Sequence, residues 1–215
     1  MTARIVADGE AGRAAAIEAL RGGGIVALPT DTVYGIAVAL DAPGGIEALF
    51  AAKRRPPDKG IMLLLADAGQ APEIGEWPRA AALLAEAFWP GGLTLVVPQR
   101  PGVPLPTVLT GGAATIGLRV PDHAAPRALA AAVGPLPTTS ANISGLPEAR
   151  DAAEIRGQLG DSVALVLDGG RAQGGPPSTI VDCSVDRPVL LRAGPISGEQ
   201  VAAILDASGI GHAIV

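Results

Sequence analysis

The sequence predicts a single α/β domain over residues 1–215. Short apolar runs bounded by glycine or proline alternate with amphipathic or alanine-rich segments, which is the pattern of alternating strands and helices. With 215 residues, of which 48% are hydrophobic, the chain is long enough to bury one large core. It opens without a signal segment and contains no apolar run long enough to span a membrane. We therefore expect no membrane association and a cytoplasmic location.

Each predicted helix combines apolar positions at helical spacing with a glycine or proline stop. In the first of them, Ala14, Ile17 and Leu20 share one face, and the glycines at 22–24 end the helix. The predicted helices are 11–21, 46–53, 78–88, 123–133, 151–159 and 197–207. The predicted strands are 25–28, 35–40, 61–65, 93–97, one from 115, one from 136, 163–167 and 188–192. The proline-rich stretch 99–112 is either a mobile lid or an exposed connection.

A polar loop follows the strand at 25–28, and we expect most of the chemistry to converge on it. The strand is apolar throughout, which is typical of burial on both faces, and Pro29 ends it because proline has no N–H for a ladder. Thr30, Asp31 and Thr32 follow at once, with Tyr34, the only tyrosine, close behind. The alternative is an ordinary turn in which these side chains bond their own backbone.

The second helix ends in a basic turn. Lys53, Arg54, Arg55 and Lys59 place four cations within seven residues, and the two lysines are the only ones in the chain. Cations suit a helix C-terminus, where each contributes about 0.3–1 kcal/mol, but that accounts for only one or two of them. Such crowding is costly unless an anion shares the space, so we predict a polyphosphate site.

Two later strands also carry polar side chains. Thr115, Gly117 and Arg119 share one strand face, where Arg119 is either a solvated edge cation or an anion clamp directed into a cleft. Thr138 and Ser140 share a face of the next strand, and Asn142, the only asparagine, follows at the same period of two. His123 starts a helix and is interpreted as a cap-region residue.

Composition narrows the classes of function. The formal net charge of −5 disfavours a protein whose main task is binding nucleic acid. Cys183 is the only cysteine, so an internal disulfide is excluded and we expect the thiol in a buried strand. No spacing typical of metal ligands is present, and the glycine-rich segments match neither the phosphate-loop nor the dinucleotide fingerprint.

Seven short motifs stand in order along the chain. They are PTDTVYG at 29–35, KxRP at 53–56 with Lys59-Gly60, WPG at 89–91, LRVPDH at 118–123, TSANxSG at 139–145, STIVD at 178–182 and LRxG at 191–194. Together, over nearly the whole chain, they resemble the YrdC-like family of L-threonylcarbamoyladenylate synthases. Lys59-Gly60 replaces the Lys-Pro common in longer members, and the chain ends without their additional C-terminal domain. It is therefore similar to the short, single-domain form.

The resemblance implies an open, twisted sheet of mixed strands with flanking helices around a deep, positively charged cleft. It also implies a nucleotidyltransferase that makes L-threonylcarbamoyladenylate from L-threonine, bicarbonate and ATP and releases pyrophosphate. Mg²⁺ would be carried with ATP and not held in a metal site of the protein. The product would pass to a tRNA threonylcarbamoyl transferase complex that modifies adenosine in tRNA.

Matched motif by motif, the resemblance assigns residues to two ends of the cleft. The ATP-binding set is Lys53, Arg55, Thr115, Ser140, Asn142 and Arg192, of which Lys53 and Arg55 are expected to be catalytic. The threonine-binding set is Thr30, Arg119, Thr138 and Ser178, with Arg119 as the partner of the substrate carboxylate. A second tier contains Thr32, Tyr34, Lys59 and Thr179. No base role is assigned to Asp31.

Two other classes of function compete with the synthase. A basic cleft would also suit double-stranded RNA, in which case the protein would be an RNA maturation factor without catalysis. Only the cluster at 53–59 supports this hypothesis, against a pI of about 5.0. Weak RNA binding is compatible with the synthase as well. The third class is carbamoyl transfer in metallocentre maturation, where related modules occur inside larger chains.

Overall fold

The computed structural model describes residues 3–172 and 175–214, which form one α/β domain. Within these ranges the chain has ten strands and eight helices. The strands are β1 (Arg4–Ala7), β2 (Val26–Leu28), β3 (Gly35–Ala37), β4 (Met62–Leu64), β5 (Leu93–Pro98), β6 (Thr115–Arg119), β7 (Leu136–Ser140), β8 (Leu165–Asp168), β9 (Thr179–Asp182) and β10 (Val189–Arg192). The helices are α1 (Glu10–Arg21), α2 (Gly45–Lys53), α3 (Ala71–Ile74), α4 (Arg79–Phe88), α5 (Thr107–Thr110), α6 (Ala124–Val133), α7 (Ala152–Leu159) and α8 (Gly198–Ala207). Every predicted strand and helix is present, with ends shifted by a few residues.

The strands form one open, mixed sheet in the order β1-β8-β2-β3-β7-β4-β6-β5-β9-β10. Parallel pairs join β1 to β8, β2 to β8, β4 to β6 and β5 to β9. The other neighbours are antiparallel. The predicted class, an open mixed sheet with flanking helices, is confirmed.

Alternate residues of the strands enter two separate hydrophobic cores, as the period of two requires. Val26 and Leu28 of β2 pack with α1 and α6, whereas Ala27 lies in the other core with α2, α4, α7 and α8. The face covered by α1 and α6 extends across β8, β2, β3 and the start of β7. On the same face, β5 and β6 carry Thr94, Gly117 and Arg119, with Val96 as an apolar neighbour. Helix packing therefore stops there, and space is left for a cavity.

Sequence patterns missed β1, the short helices α3 and α5 and, in part, β9. Three of the four residues of β1 are exposed, so the strand has little apolar signal, and its backbone pairing with β8 holds it in the sheet. Cys183 follows β9 directly and is buried, as expected. His123 caps α6 by accepting a hydrogen bond from the Ala125 N–H at 3.1 Å. In the described ranges, none of the helices is both long and apolar enough to cross a bilayer.

Candidate active site

A cavity of about 370 Å³ lies over β4 to β7, β9 and β10, on the sheet face that α1 and α6 leave uncovered. It is called the central cavity below. Its polar lining consists of Thr32, Arg55, Thr94, Thr110, Thr115, Arg119, Thr138, Thr139, Ser140, Glu148, Ser178 and Arg192. Apolar residues such as Met62, Val96 and Ile180 form part of its wall. A volume of this size, with a few convergent polar groups, suits a small-molecule ligand.

Arg119 lies at the end of β6 with only 3% of its surface exposed. Its Nη2 donates to Asp31 Oδ1 at 2.6 Å, its Nη1 to Thr32 Oγ1 at 3.1 Å, and its Nε to the carbonyl of Gly91 at 2.9 Å. Burial lowers the pKa of this guanidinium, whereas the Asp31 carboxylate raises it. The interpretation of Arg119 as a solvated edge cation is therefore wrong. It is a buried cation that faces the cavity. One edge of its guanidinium group is already bonded to the Asp31 carboxylate.

Arg192 approaches the cavity from β10 and is anchored by Ser178. Its Nε donates to the Ser178 carbonyl at 2.9 Å and its Nη2 to Ser178 Oγ at 3.1 Å. The hydroxyls of Ser178 and Thr94 are 2.8 Å apart, which fixes Ser178 from its other side. The pKa of Arg192 is lowered by burial first and then by the charges of Arg119 and Arg55. Arg192 is thus close enough to both Arg119 and Arg55 to be repelled by them, an arrangement that an anionic ligand would stabilise.

The basic turn after α2 does not converge on the cavity, and the prediction drawn from its four cations needs correction. Arg54 ends α2 in the left-handed region with φ of 53°, so successive side chains point in different directions. Lys53 is buried, Arg54 borders a separate surface groove, and Lys59 is exposed. Only Arg55 lines the central cavity, where its Nε and Nη2 donate to the carbonyls of Lys59 and Gly60 at 2.9 and 2.8 Å. Lys53 and Arg55 remain close enough for the charge of Arg55 to lower the pKa of Lys53, whereas Arg54 and Lys59 lie at the surface.

Lys53 holds the chain just beyond β7. Its Nζ donates to the carbonyls of Ser140 and Asn142, the latter at 2.6 Å, and to Asn142 Oδ1 at 3.0 Å. These acceptors use all three ammonium protons. Burial lowers the pKa of Lys53 to about 8, with Arg55 adding to the effect, whereas the surrounding oxygen acceptors favour the charged form. Lys53 is therefore a buried anchor of the segment that presents Ser140 to the cavity.

Only some of the side chains in the polar loop after β2 line the cavity. Thr32 lines the cavity, but the Thr30 hydroxyl donates to the Val33 carbonyl at 2.7 Å and accepts from the Thr32 N–H at 3.1 Å. For Thr30, the ordinary turn is thus the correct alternative. The Tyr34 hydroxyl donates to the Gly170 carbonyl at 2.7 Å and is 1% exposed. It ties the loop to the end of β8.

The structure brings together eight of the predicted site residues and leaves six outside the lining. The lining contains Thr32, Arg55, Thr115, Arg119, Thr138, Ser140, Ser178 and Arg192. Outside it lie Thr30, Tyr34, Lys53, Lys59, Asn142 and Thr179, and Thr179 is buried with its hydroxyl on the Ile196 carbonyl. Sequence reasoning missed Thr94, Thr110, Thr139 and Glu148. Thr94 was detectable, because it interrupts the apolar run 93–97 at a single alternate position.

The fold and the cavity together define an α/β protein whose arginine-lined site suits a small anionic ligand. The chain belongs to the Sua5/YciO/YrdC family, because the family model described as telomere recombination matches residues 18–194. The expected family is confirmed.

Two relatives and one solved structure illustrate the similarity. The threonylcarbamoyl-AMP synthase of Bacillus subtilis (strain 168) is 38% identical over 200 residues, which is 92% of this chain and 57% of that protein. The enzyme of the same name from Idiomarina loihiensis is 38% identical over 166 residues, or 74% of this chain and 87% of that protein. The crystal structure of P. abyssi Sua5 complexed with L-threonine has a TM-score of 0.88 and 33% identity, covering 99% of this chain and 62% of that one. The chain thus spans less than two thirds of some relatives and most of others.

Proposed function

We propose that this protein is an ATP-dependent L-threonylcarbamoyladenylate synthase. It would convert L-threonine, bicarbonate and ATP to L-threonylcarbamoyladenylate, pyrophosphate and water. The observation that carries the proposal is the convergence of Arg55, Arg119 and Arg192 with a set of hydroxyl groups on one cavity. The names of the relatives and the threonine complex of the P. abyssi protein support the same activity.

The amino acid would bind at the Arg119 end of the cavity. The Thr138 and Ser178 hydroxyls line the same cavity as Arg119. Thr138 donates to the Leu136 carbonyl, and Ser178 Oγ contacts both Thr94 Oγ1 and Arg192 Nη2. Because a hydroxyl has one proton and two lone pairs, each keeps capacity for a further hydrogen bond to a substrate. The carboxylate of threonine would share Arg119 with Asp31, and Thr32 would take the place that the sequence assigned to Thr30.

The nucleotide would bind near Arg55, Thr115, Ser140 and Arg192. Negative charge would move onto the leaving pyrophosphate when an oxygen of N-carboxylated threonine attacks the α-phosphorus and the bond to the β-phosphate oxygen breaks. Arg55 and Arg192 would already be in place before the reaction, so they would stabilise this charge without rearranging. Lys53 and Asn142 would act indirectly by holding Ser140. Mg²⁺ would enter as part of the ATP complex.

The mixed anhydride is a reactive product and needs a separate acceptor enzyme. We propose that it passes to a tRNA threonylcarbamoyl transferase complex in the cytoplasm. A double-stranded RNA module without catalysis has less support. The basic turn that suggested it splits into one buried, one cavity-lining and two surface cations.

Pyrophosphate release tests the proposal directly. Purified protein is incubated with ATP, Mg²⁺, bicarbonate and one amino acid at a time. We expect release to require bicarbonate and an amino acid, and to be fastest with threonine. If pyrophosphate is released without threonine and without bicarbonate, the synthase assignment is wrong.

The same assay reads the selectivity of the amino-acid end. Serine lacks one methyl group, which is worth at most about 1–3 kcal/mol in a tight pocket, so it should be about 10- to 200-fold poorer than threonine. Valine would leave the partners of the substrate hydroxyl buried and unpaired, a penalty of up to about 10⁴-fold. The expected order is threonine, serine, valine. If valine outperforms serine, the cavity selects its amino acid by shape alone. The assignment of the hydroxyl-bearing residues to the substrate would then be wrong.

A further inference from the structure

Glu148 is the one carboxylate among the described residues that line the central cavity. It is half-buried on the segment between β7 and α7, and it shares the cavity with Arg55, Arg119 and Arg192. A carboxylate facing a polyphosphate repels it unless a cation lies between them. The presence of this side chain in a site for ATP therefore needs an explanation.

Direct pairing with an arginine does not explain it, because each guanidinium is anchored by other groups. Arg55 donates to the Lys59 and Gly60 carbonyls, Arg192 to Ser178, and Arg119 to Asp31. In the described part of the chain Glu148 has neither an ion pair nor a hydrogen bond. Its charge nevertheless raises the pKa of both Arg192 and Lys53, in each case against the larger lowering by burial. The carboxylate thus stays unpaired beside the groups that would bind phosphate.

We propose that Glu148 binds the divalent cation that enters with ATP. Mg²⁺ is held in such sites by one or two carboxylates together with phosphate oxygens and waters, and Glu148 offers the carboxylate. The side chain would then position the polyphosphate between the cation on one side and Arg55 and Arg192 on the other. Glu148 is in this sense a positioning residue of the nucleotide, and the inference rests on the proposed function.

The test measures ATP binding by calorimetry without threonine or bicarbonate, so that no turnover occurs. Titrations are run in EDTA and in excess Mg²⁺, for the wild type and for Glu148→Gln. We expect the substitution to tighten metal-free ATP about fivefold, because one repulsive charge is removed, and to weaken Mg²⁺–ATP about tenfold, because one metal ligand is lost. The two effects have opposite signs, which a general change in packing would not produce.

Two further variants sharpen the readout. Glu148→Asp keeps the carboxylate and should retain part of the gain from Mg²⁺. Glu86→Gln removes an exposed carboxylate of α4 and should leave both affinities unchanged. If Glu148→Gln shifts the Kd by the same factor with and without Mg²⁺, Glu148 only screens the arginines and the inference is overturned. If the wild type binds ATP in neither condition, the proposed function itself fails, and the inference fails with it.

Discussion

Two polar segments of this chain look alike in sequence but differ in what their side chains do. The β2 loop (29–34) and the β7 end (138–142) each place hydroxyl-bearing residues at the end of a buried strand. They are neighbours in space, since Gly35 pairs with Ser140 and the Ala141 N–H donates to the Tyr34 carbonyl at 2.8 Å. In the β7 end Thr138, Thr139 and Ser140 all line the cavity, whereas in the β2 loop Thr32 and Val33 alone do so.

The difference lies in what satisfies the backbone. In the β2 loop the Val33 carbonyl takes its hydrogen bond from the Thr30 hydroxyl, so that side chain turns back on its own chain. At the β7 end the ammonium of Lys53 donates hydrogen bonds to the carbonyls of Ser140 and Asn142. The β7 end thus has an external donor for two of its carbonyls, although Thr138 donates to its own Leu136 carbonyl and Ser140 to Asn142 Oδ1. The buried lysine therefore fixes the part of this segment that carries Ser140.

The largest expected effect follows from removing that donor. Lys53→Met leaves the Ser140 and Asn142 carbonyls and Asn142 Oδ1 without their ammonium partner. We expect a loss of stability of about 2–4 kcal/mol, because buried acceptors stay unpaired. Turnover should fall about 10²–10³-fold because Ser140 is no longer held, as when one preorganised group is lost. Urea unfolding and pyrophosphate release measure the two effects.

Lys59→Met is the matched control, because it removes the only other lysine, which is exposed. It should change stability by less than about 0.5 kcal/mol, as surface substitutions commonly do. Equal stability of the two variants would show that the β7 end holds itself and that the comparison of the two segments is wrong.

Arg119 links the β2 loop to the cavity and gives the second prediction. Arg119→Ala should raise the threonine requirement about 10- to 100-fold, the worth of a charge-assisted pair with a carboxylate, and change the ATP requirement much less. Arg119→Lys keeps the charge but loses the planar guanidinium, so it should raise the threonine requirement less than Arg119→Ala does. The apparent KM for each substrate is the measurement. An equal rise for threonine and ATP would contradict the division of the cavity into two ends.

A matched pair of threonines compares the segments side by side. Thr138→Val removes a hydroxyl from the cavity lining and should raise the threonine requirement about tenfold. Thr30→Val removes a hydroxyl that serves the β2 loop, so it should cost about 1 kcal/mol of stability and leave the threonine requirement unchanged. A larger kinetic effect at Thr30 than at Thr138 would restore the sequence-based assignment of Thr30 to the substrate.

Periodicity predicted the fold well because the strands and helices bury regular apolar stripes. It missed β1, whose place depends on backbone pairing with β8, and backbone pairing leaves no mark on side-chain type. The same reason limits the prediction of the site. The sequence shows the hydroxyl-bearing residues at strand ends, but it does not show the partners of Lys53, because most of them are backbone carbonyls, which every residue has. Glu148 stands in an irregular segment with no pattern to point it into the cavity.

The smallest expected effect on turnover concerns Tyr34, which holds the β2 loop without lining the cavity. Its hydroxyl accepts from the Gly169 N–H at 2.9 Å and donates to the Gly170 carbonyl. Tyr34→Phe should therefore lower the free energy of unfolding by about 1–3 kcal/mol near pH 8, because two backbone groups lose their partner. Turnover at that pH should stay within about twofold of the wild type, because the cavity lining is intact.

The pH dependence of this stability difference identifies the phenol as its source. Burial raises the pKa of Tyr34 to about 12, partly opposed by the hydrogen bond from Gly169, whereas an unfolded tyrosine ionises near pH 10. Between these values the unfolded chain loses a proton that the folded chain keeps, so the contribution of Tyr34 is full below pH 10 and is lost as the pH rises toward 12. The buried thiol of Cys183, whose pKa is also raised to about 12, is present in both proteins and cancels from their difference. Urea unfolding of wild type and Tyr34→Phe from pH 8 to 12 should show the gap shrinking above pH 10. A gap that stays constant over that range would mean that the phenolic proton does not hold the loop.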